Sequence, residues 1–263
     1  MATELNSTKC SLPTHLELPC TDGRPSNDCC SQSQNSILTY TIEPVLKALY
    51  PDNQYFIGQG VGIYFRHTNP PLDGCKAPDW FYIPHVSPLA PDGKVRRSYV
   101  LWHEPTIPAV AIEQVSHEPL EEWDETPETG KFWVYERVLK IPYYAIYDGF
   151  RGTLDCFRLI DGKYVAMKAD AQGRFDVPTL NVSLGLRLSK IHNYKRRWLR
   201  FFDADGQLLL TGNEQMRHWE TLDALEKKRA EFANGEVDAI SLETSRLREQ
   251  RARLGFDPDD LPR

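Results

Sequence analysis

Asp79, Glu113 and Lys131 are the side chains of this sequence best equipped to do chemistry together. Two carboxylates offer hard oxygen ligands to a divalent cation, and a nearby lysine can orient or polarise an attacking water. Such a trio suits metal-assisted hydrolysis. Each residue also has a plainer reading. Pro78-Asp79 is an ordinary strand entry, because proline suits a strand edge and aspartate suits a turn. Lys131 could be a solvated helix start. Glu113 is harder to set aside: Val110, Ala111, Ile112 and Val115 make its surroundings read as a buried strand. A lone buried carboxylate costs several kcal/mol unless it is paired, hydrogen-bonded or metal-bound.

For the three to meet, two neighbouring strands must bring the acids side by side at a strand end, and the following helix must carry the lysine. The pattern provides these elements. Trp80 to Pro84 and Val110 to Ser116 read as strands, with an extra strand near Tyr99 to Trp102 inserted between them. The acidic run His117 to Glu128 reads as a solvated, flexible loop. Trp133, Val134, Arg137 and Val138 recur at helical spacing, which predicts a helix over Lys131 to Leu139 ending before Pro142, and Tyr143 to Asp148 reads as the next strand. Upstream, Met1 to Asn35 is polar and reads as an irregular arm. An amphipathic helix follows over Ile37 to Leu49, then a glycine-interrupted strand over Tyr55 to Phe65. Downstream, Leu154 to Leu159, Tyr164 to Met167 and Arg174 to Pro178 read as short antiparallel strands that extend the sheet. Trp198 to Phe202 and Leu208 to Leu210 read as a hairpin around Asp205-Gly206.

Pro78-Asp79, then Glu113-x-x-Ser116, then Lys131-x-x-x-Tyr135, then the proline-led strand containing Tyr143, Tyr144 and Asp148 together resemble the Uma-two family of restriction endonucleases, a branch of the PD-(D/E)XK nuclease superfamily. The resemblance runs from about Ser36 to about Leu188 and continues into Arg197 to Glu214. It departs from the superfamily at Val115, where a lysine usually stands two residues after the glutamate; in the Uma-two family that lysine comes from the next helix, the place of Lys131. The resemblance implies a Mg²⁺- or Mn²⁺-dependent DNA endonuclease. In it Asp79 and Glu113 hold the metal, Lys131 completes the catalytic set, and Ser116 and Tyr135 support it. It also implies an acidic residue near the first helix, for which Glu17 and Glu43 are the candidates.

A net charge of −6 argues against an indiscriminate polyanion binder, so any nucleic-acid surface must be local. Lys195, Arg196, Arg197 and Arg200 form the densest basic cluster. They read either as phosphate contacts, with an aromatic ring stacked on a base, or as a solubilising patch, and Arg96 and Arg97 could extend them. Of six cysteines, Cys10, Cys20, Cys29 and Cys30 fall in the first 30 residues without a CxxC pair, which reads as reduced thiols rather than a zinc site. No apolar run approaches the roughly 20 residues of a membrane helix, and a soluble, cytoplasmic protein is expected. From Glu214 to Leu254, Leu222, Leu225, Arg229 and Phe232, then Ile240, Leu247 and Leu254, keep coiled-coil spacing, split at Asn234-Gly235 where a break or kink is expected. The expected fold is α/β of the α+β type: an irregular arm over 1–35, a restriction-endonuclease-like domain over 36–212 with a mixed central sheet flanked by helices, and a helical tail over 213–263. A homodimer could form through the core or the tail. Two other functions compete with the endonuclease: a catalytically inactive nuclease-fold module for binding or assembly, and a metal-dependent hydrolase of a small phosphorylated substrate. Sequence specificity, and DNA against RNA, stay open.

Overall fold

The structure, a computed structural model, describes residues 12–19, 29–115, 121–191 and 193–254. It begins its regular elements with helix α1 (Cys29–Leu49), on which Gln34, Leu38, Ile42 and Leu46 recur every four residues, all fully buried. That stripe is what seats α1 on the sheet. Then come β1 (Tyr55–Gly58), β2 (Ile63–Tyr64), β3 (Cys75–Lys76), β4 (Trp80–Pro84), β5 (Tyr99–Val100) and β6 (Val110–Gln114). Helix α2 (Lys131–Trp133) runs directly into a π-turn, Val134–Val138, before β7 (Tyr143–Asp148). The strands β8 (Thr153–Ile160), β9 (Lys163–Ala166), β10 (Phe175–Val177), β11 (Val182–Ile191) and β12 (Tyr194–Phe202) lead to helix α3 (Gly212–Arg253).

The central sheet has the order β1-β4-β6-β7-β8-β9, with β6 and β7 parallel and the other neighbours antiparallel. Because side chains alternate along a strand, this sheet builds two cores. Trp80, Tyr82, Val110, Ile112, Ala145 and Tyr147 face α1 and β12. Phe81, Ala111, Tyr144 and Ile146 face Phe132, Val134 and Tyr135 of α2 and its π-turn. Glu113 lies in step with the second set, under α2. Smaller sheets, β10-β11-β12 and β3-β2-β5, complete the architecture, which is the mixed α+β arrangement expected.

Several expectations need correction. Helix α1 starts at Cys29, inside the stretch read as irregular, because Gln34 continues the buried stripe. Residues 12–19 pack on the small sheet: Tyr64 donates its hydroxyl to the Pro19 carbonyl at 2.9 Å and the Trp102 indole donates to Pro13 at 3.1 Å. The strand expected over Tyr55 to Phe65 divides into β1 and β2, which join different sheets. Only β8 and β9 extend the central sheet, for β10 pairs with β11 instead. The acidic run is not all solvated either. Glu121–Trp123 forms a 3₁₀ turn in which Glu122 is buried. Among the described cysteines, Cys75 and Cys156 are buried thiols in no disulfide. No helix among the described residues is long and apolar enough to cross a membrane.

The chain divides into two compact units, Met1–Leu209 and Leu210–Arg263. Helix α3, in the second, opens with a capping box. The Thr211 hydroxyl accepts from the Glu214 amide, and the Glu214 carboxylate accepts from the Thr211 amide at 2.9 Å. The helix passes Asn234-Gly235 without interruption. One glycine costs about 1 kcal/mol relative to alanine, too little to stop a helix with strong formers on both sides. A Cβ at Gly235 would meet nothing within 4 Å. Gly235→Ala should therefore stabilise α3 by about 0.5–1 kcal/mol, seen as slower amide exchange around position 235; unchanged exchange would mean that the helix already frays there.

Candidate active site

The end of the β4-β6 pair brings the two acids together. Trp80 pairs with Ile112 in antiparallel register, and one step further the ladder sets Asp79 opposite Glu113. Opposite residues share a face, with Cβ atoms about 4.5–5.5 Å apart. The Gln114 amide donates to Asp79 Oδ2 at 2.7 Å, which fixes the aspartate against β6. Across β6, Glu113 registers with Ile146 of β7. Three strands, β4, β6 and β7, thus hold Glu113 at the middle of the sheet order.

The third component arrives from α2. Gly130 caps that helix, and any Cβ there would sit 2.1 Å from the Asp124 carbonyl, so only glycine permits the approach. The same carbonyl accepts from the Phe132 amide at 3.1 Å. This tight entry leaves Lys131, 7% exposed, on the inner face. Its Nζ lies 3.0 Å from Glu113 Oε2 and 3.9 Å from Glu121 Oε1. One turn later the buried Tyr135 hydroxyl donates to Glu113 Oε1 at 2.5 Å. The π-turn that carries Tyr135 is a rare local geometry, of a kind often found at functional sites.

Electrostatics follow from this crowding. The Asp79 carboxyl is pushed up to about 8, first by loss of hydration and then by the Glu113 carboxylate beside it, against the opposing pull of the Gln114 amide and the Lys131 ammonium. Burial, followed by the charge of Glu113, raises the Tyr135 phenol well above its usual range, so Tyr135 remains a hydrogen-bond donor. The site is a pair of mutually repelling carboxylates, one of them with both oxygens engaged by donors.

The structure brings together Asp79, Glu113, Lys131 and Tyr135. Ser116 lies outside the described residues. Glu17 and Glu43 do not join the site. Glu17 accepts from the Thr14 amide and hydroxyl at 2.8 and 3.0 Å, and Glu43 pairs with Lys47 at 2.9 Å, each in a local arrangement. From α1 the structure offers Asn35 instead, whose Oδ1 accepts from Gln114 Nε2 at 2.7 Å. Sequence reasoning missed Asn35, Gln114 and Glu121. The available signal was Gln34, in four-residue step with Leu38, Ile42 and Leu46, which extends α1 far enough to include Asn35.

The basic cluster is divided by strand alternation. Lys195 and Arg197 are exposed, while Arg196 stacks over the rings of Trp198 at 4.5 Å and Tyr147 at 5.5 Å. Arg200 is fully buried and donates to the Leu209 carbonyl at 2.8 Å, which removes it from any phosphate-binding surface. Trp198 is also fully buried and has no face for a base. Arg96 is an interior residue, ion-paired with Glu104 and donating to the Ser87 and Leu89 carbonyls.

A mixed sheet with an Asp-Glu pair at its end and a helix-borne lysine defines a protein of the restriction-endonuclease-like class. Residues 28–189 match the Uma2 family, described as "Putative restriction endonuclease", and the chain belongs to that family. A solved structure described as "a putative nuclease belonging to DUF820 from Anabaena variabilis ATCC 29413" is 16% identical, with a TM-score of 0.40 over 63% of this chain and 87% of that one. No curated protein matches.

The raised Asp79 carboxyl has a thermodynamic signature. Between its ordinary value of 3.8 and about 8 the folded state binds a proton that the unfolded state has released. Stability therefore falls as pH rises through that window and levels off above it. Asp79→Asn, which can still accept from Gln114 and donate to Glu113, should match the wild type near pH 4 and exceed it by a few kcal/mol, in order of magnitude, at pH 9. Urea midpoints at both pH values check this, and a pH-independent difference would refute it. Tyr135→Phe leaves Glu113 Oε1 without its donor and should cost about 1–3 kcal/mol in the same measurement.

Proposed function

We propose that this protein is a divalent-cation-dependent DNA endonuclease that hydrolyses phosphodiester bonds at Asp79, Glu113 and Lys131. The observation that carries the reading is the juxtaposition of Asp79 and Glu113 on one face at a strand end, with Lys131 Nζ 3.0 Å from Glu113. The donor set suits Mg²⁺ or Mn²⁺. Mg²⁺ is commonly held by one or two carboxylates with water and substrate oxygens filling the remaining positions. Two carboxylates offer about eight lone-pair sites, and the hydrogen bonds above occupy only a few of them. Burial and then the Glu113 charge raise Asp79, and a cation shared by the two carboxylates would offset both.

Asp79 and Glu113 would be the metal ligands. When bound, the cation lowers the pKa of a coordinated water and neutralises charge developing on phosphate. Lys131, held by Glu113 and Glu121, is placed to hydrogen-bond the attacking water or a phosphate oxygen. Tyr135 fixes the Glu113 carboxylate so that its free lone pairs keep one direction. Hydrolysis then adds water across the P–O bond, leaving one phosphate monoester and one hydroxyl terminus.

A specific observation favours a second reading, a nuclease-fold module that binds without cutting. The Lys131 ammonium already neutralises Glu113, and α1 presents Asn35 where an acid was expected. Calorimetric titration with Mn²⁺ separates the two. The endonuclease reading expects wild-type binding that Asp79→Ala abolishes, together with nicking of supercoiled DNA; no binding by either protein supports the module. Lys131→Met should slow nicking by roughly 100-fold or more while Mn²⁺ affinity is retained, assayed on protein shown to be folded because a broken buried ion pair can cost about 3–5 kcal/mol. Unchanged turnover would remove Lys131 from the mechanism.

A further inference from the structure

The chain carries a net charge of −6, yet the 26 residues from Val177 to Phe202 contain no aspartate or glutamate and six arginines or lysines. That segment includes both strands of the β11-β12 hairpin, which carry all six of those cations. At its base both faces are buried, for Trp198, Leu199, Arg200 and Phe201 are all interior. Towards the turn Arg187, Leu188, Lys190, Tyr194, Lys195 and Arg197 are exposed, so the distal part is a two-stranded ribbon solvated on both faces. In the ladder Lys190 pairs with Lys195 and Leu188 with Arg197. The two-residue alternation therefore gathers Lys190, Lys195 and Arg197 on one face. Like charges set directly opposite each other destabilise a ladder. An anion on that face would relieve them.

The base of the ribbon is fastened to the catalytic end of the central sheet. The Tyr147 hydroxyl donates to the Arg197 carbonyl at 2.5 Å, and the Arg196 guanidinium lies over the Tyr147 ring. Tyr147 registers with Gln114, whose amide holds Asp79, and its own carbonyl accepts from the Val115 amide at 2.9 Å. Glu113 is the next residue along β6 from the position that anchors the ribbon, with its side chain on the opposite, α2-covered face, so a substrate held by the ribbon meets the Asp79-Glu113 pair around the strand end.

We infer that the β11-β12 hairpin is a duplex-DNA clamp: Lys190, Lys195 and Arg197 contact backbone phosphates and hold the substrate against the Asp79-Glu113 site. The inference deepens the endonuclease reading and rests on it. Duplex rather than single-stranded nucleic acid follows from two features. A two-stranded ribbon has the width that the B-form major groove admits. Single-strand binders instead stack successive bases on several aromatic rings, whereas here Trp198 is buried beneath Arg196 and Tyr194, beside the turn, is the one exposed ring among the described ribbon residues. Arg196 and Arg200 are positioning residues that stiffen the base of the arm.

The test is fluorescence anisotropy of a short labelled DNA duplex in EDTA across a salt series, so that binding is read without cleavage. Lys190→Gln/Lys195→Gln/Arg197→Gln should weaken binding at about 0.1 M salt by tenfold or more, equally for unrelated sequences. It should also reduce the slope of log affinity against log salt by about 0.9 per lost contact, roughly 2 to 3 in all. A charge-keeping Lys190→Arg/Lys195→Arg variant should bind as the wild type does, which excludes a folding defect as the cause. Unchanged affinity and slope in the neutral variant, no wild-type binding, or equal preference for single-stranded DNA or an RNA duplex would each overturn the clamp. Hairpin-dependent duplex binding in a protein that never nicks DNA with Mn²⁺ would remove the endonuclease reading and leave the clamp standing. Nicking undiminished by the neutral variant, with its affinity unchanged, would do the reverse.

Discussion

Two carboxylates that repel each other set the terms for the rest of the molecule. Asp79 and Glu113 face one another because β4 and β6 pair antiparallel, and burial followed by the repulsion pushes the Asp79 carboxyl up to about 8. A flexible scaffold would swing the side chains apart. This one does not, because the Gln114 amide holds one acid, Lys131 and Tyr135 hold the other, and every residue of β6 is buried. The sheet keeps in place an arrangement that the charges alone would undo, as is usual where strain is stored at functional positions.

The local geometry of α2 follows from the same demand. Lys131 and Tyr135 must both reach Glu113 from one short helix, and positions four apart lie on one helical face. Gly130 lets the helix begin against the Asp124 carbonyl, and the π-turn lets the Tyr135 backbone carbonyl accept from Ile141 at 3.0 Å as the chain descends into β7. Phe132, between them in sequence, packs edge-on against Tyr144 and Phe157, which ties α2 to the second core. The helix is short because it is clamped at both ends by what it has to deliver.

How much of this could be read from the chain depends on whether the signal was local. Glu113 stood out because an acid inside an apolar strand run is an anomaly visible within a few residues, whereas Asp79 and Lys131 each have an ordinary local reading and were picked out by the combined family pattern. Tyr135 came with the family pattern and a helical step. Asn35 and Gln114 were invisible for the opposite reason: their importance lies in a contact between α1 and β6, 79 residues apart, and the polar run around Asn35 looks like a loop until Gln34 is seen in phase with Leu38. Glu122 misled because a run of acids normally marks solvent, whereas the 3₁₀ turn aims one of them inward. Gly235 misled because a helix breaker acts through a cost of about 1 kcal/mol, which the propensity of its neighbours exceeds.

The basic run shows the same limit from the other side. Read as a line of letters, Lys195, Arg196, Arg197 and Arg200 form one patch. As a strand they fall into two sets, and the strand's depth divides them again, since the sheet rises out of the core between Trp198 and Arg197. A buried arginine is costly unless its donors are met, and Arg200 meets a backbone carbonyl while Arg196 lies flat on aromatic rings. Those two cations are accounted for by the fold itself. Lys195 and Arg197 are not, and they share a face with Lys190, which composition alone left unnoticed because it sits on the neighbouring strand across the turn. The charge available to a polyanion is therefore set by register rather than by the density of basic letters, and register places it on an arm whose root lies beside Gln114 at the acidic end of the sheet.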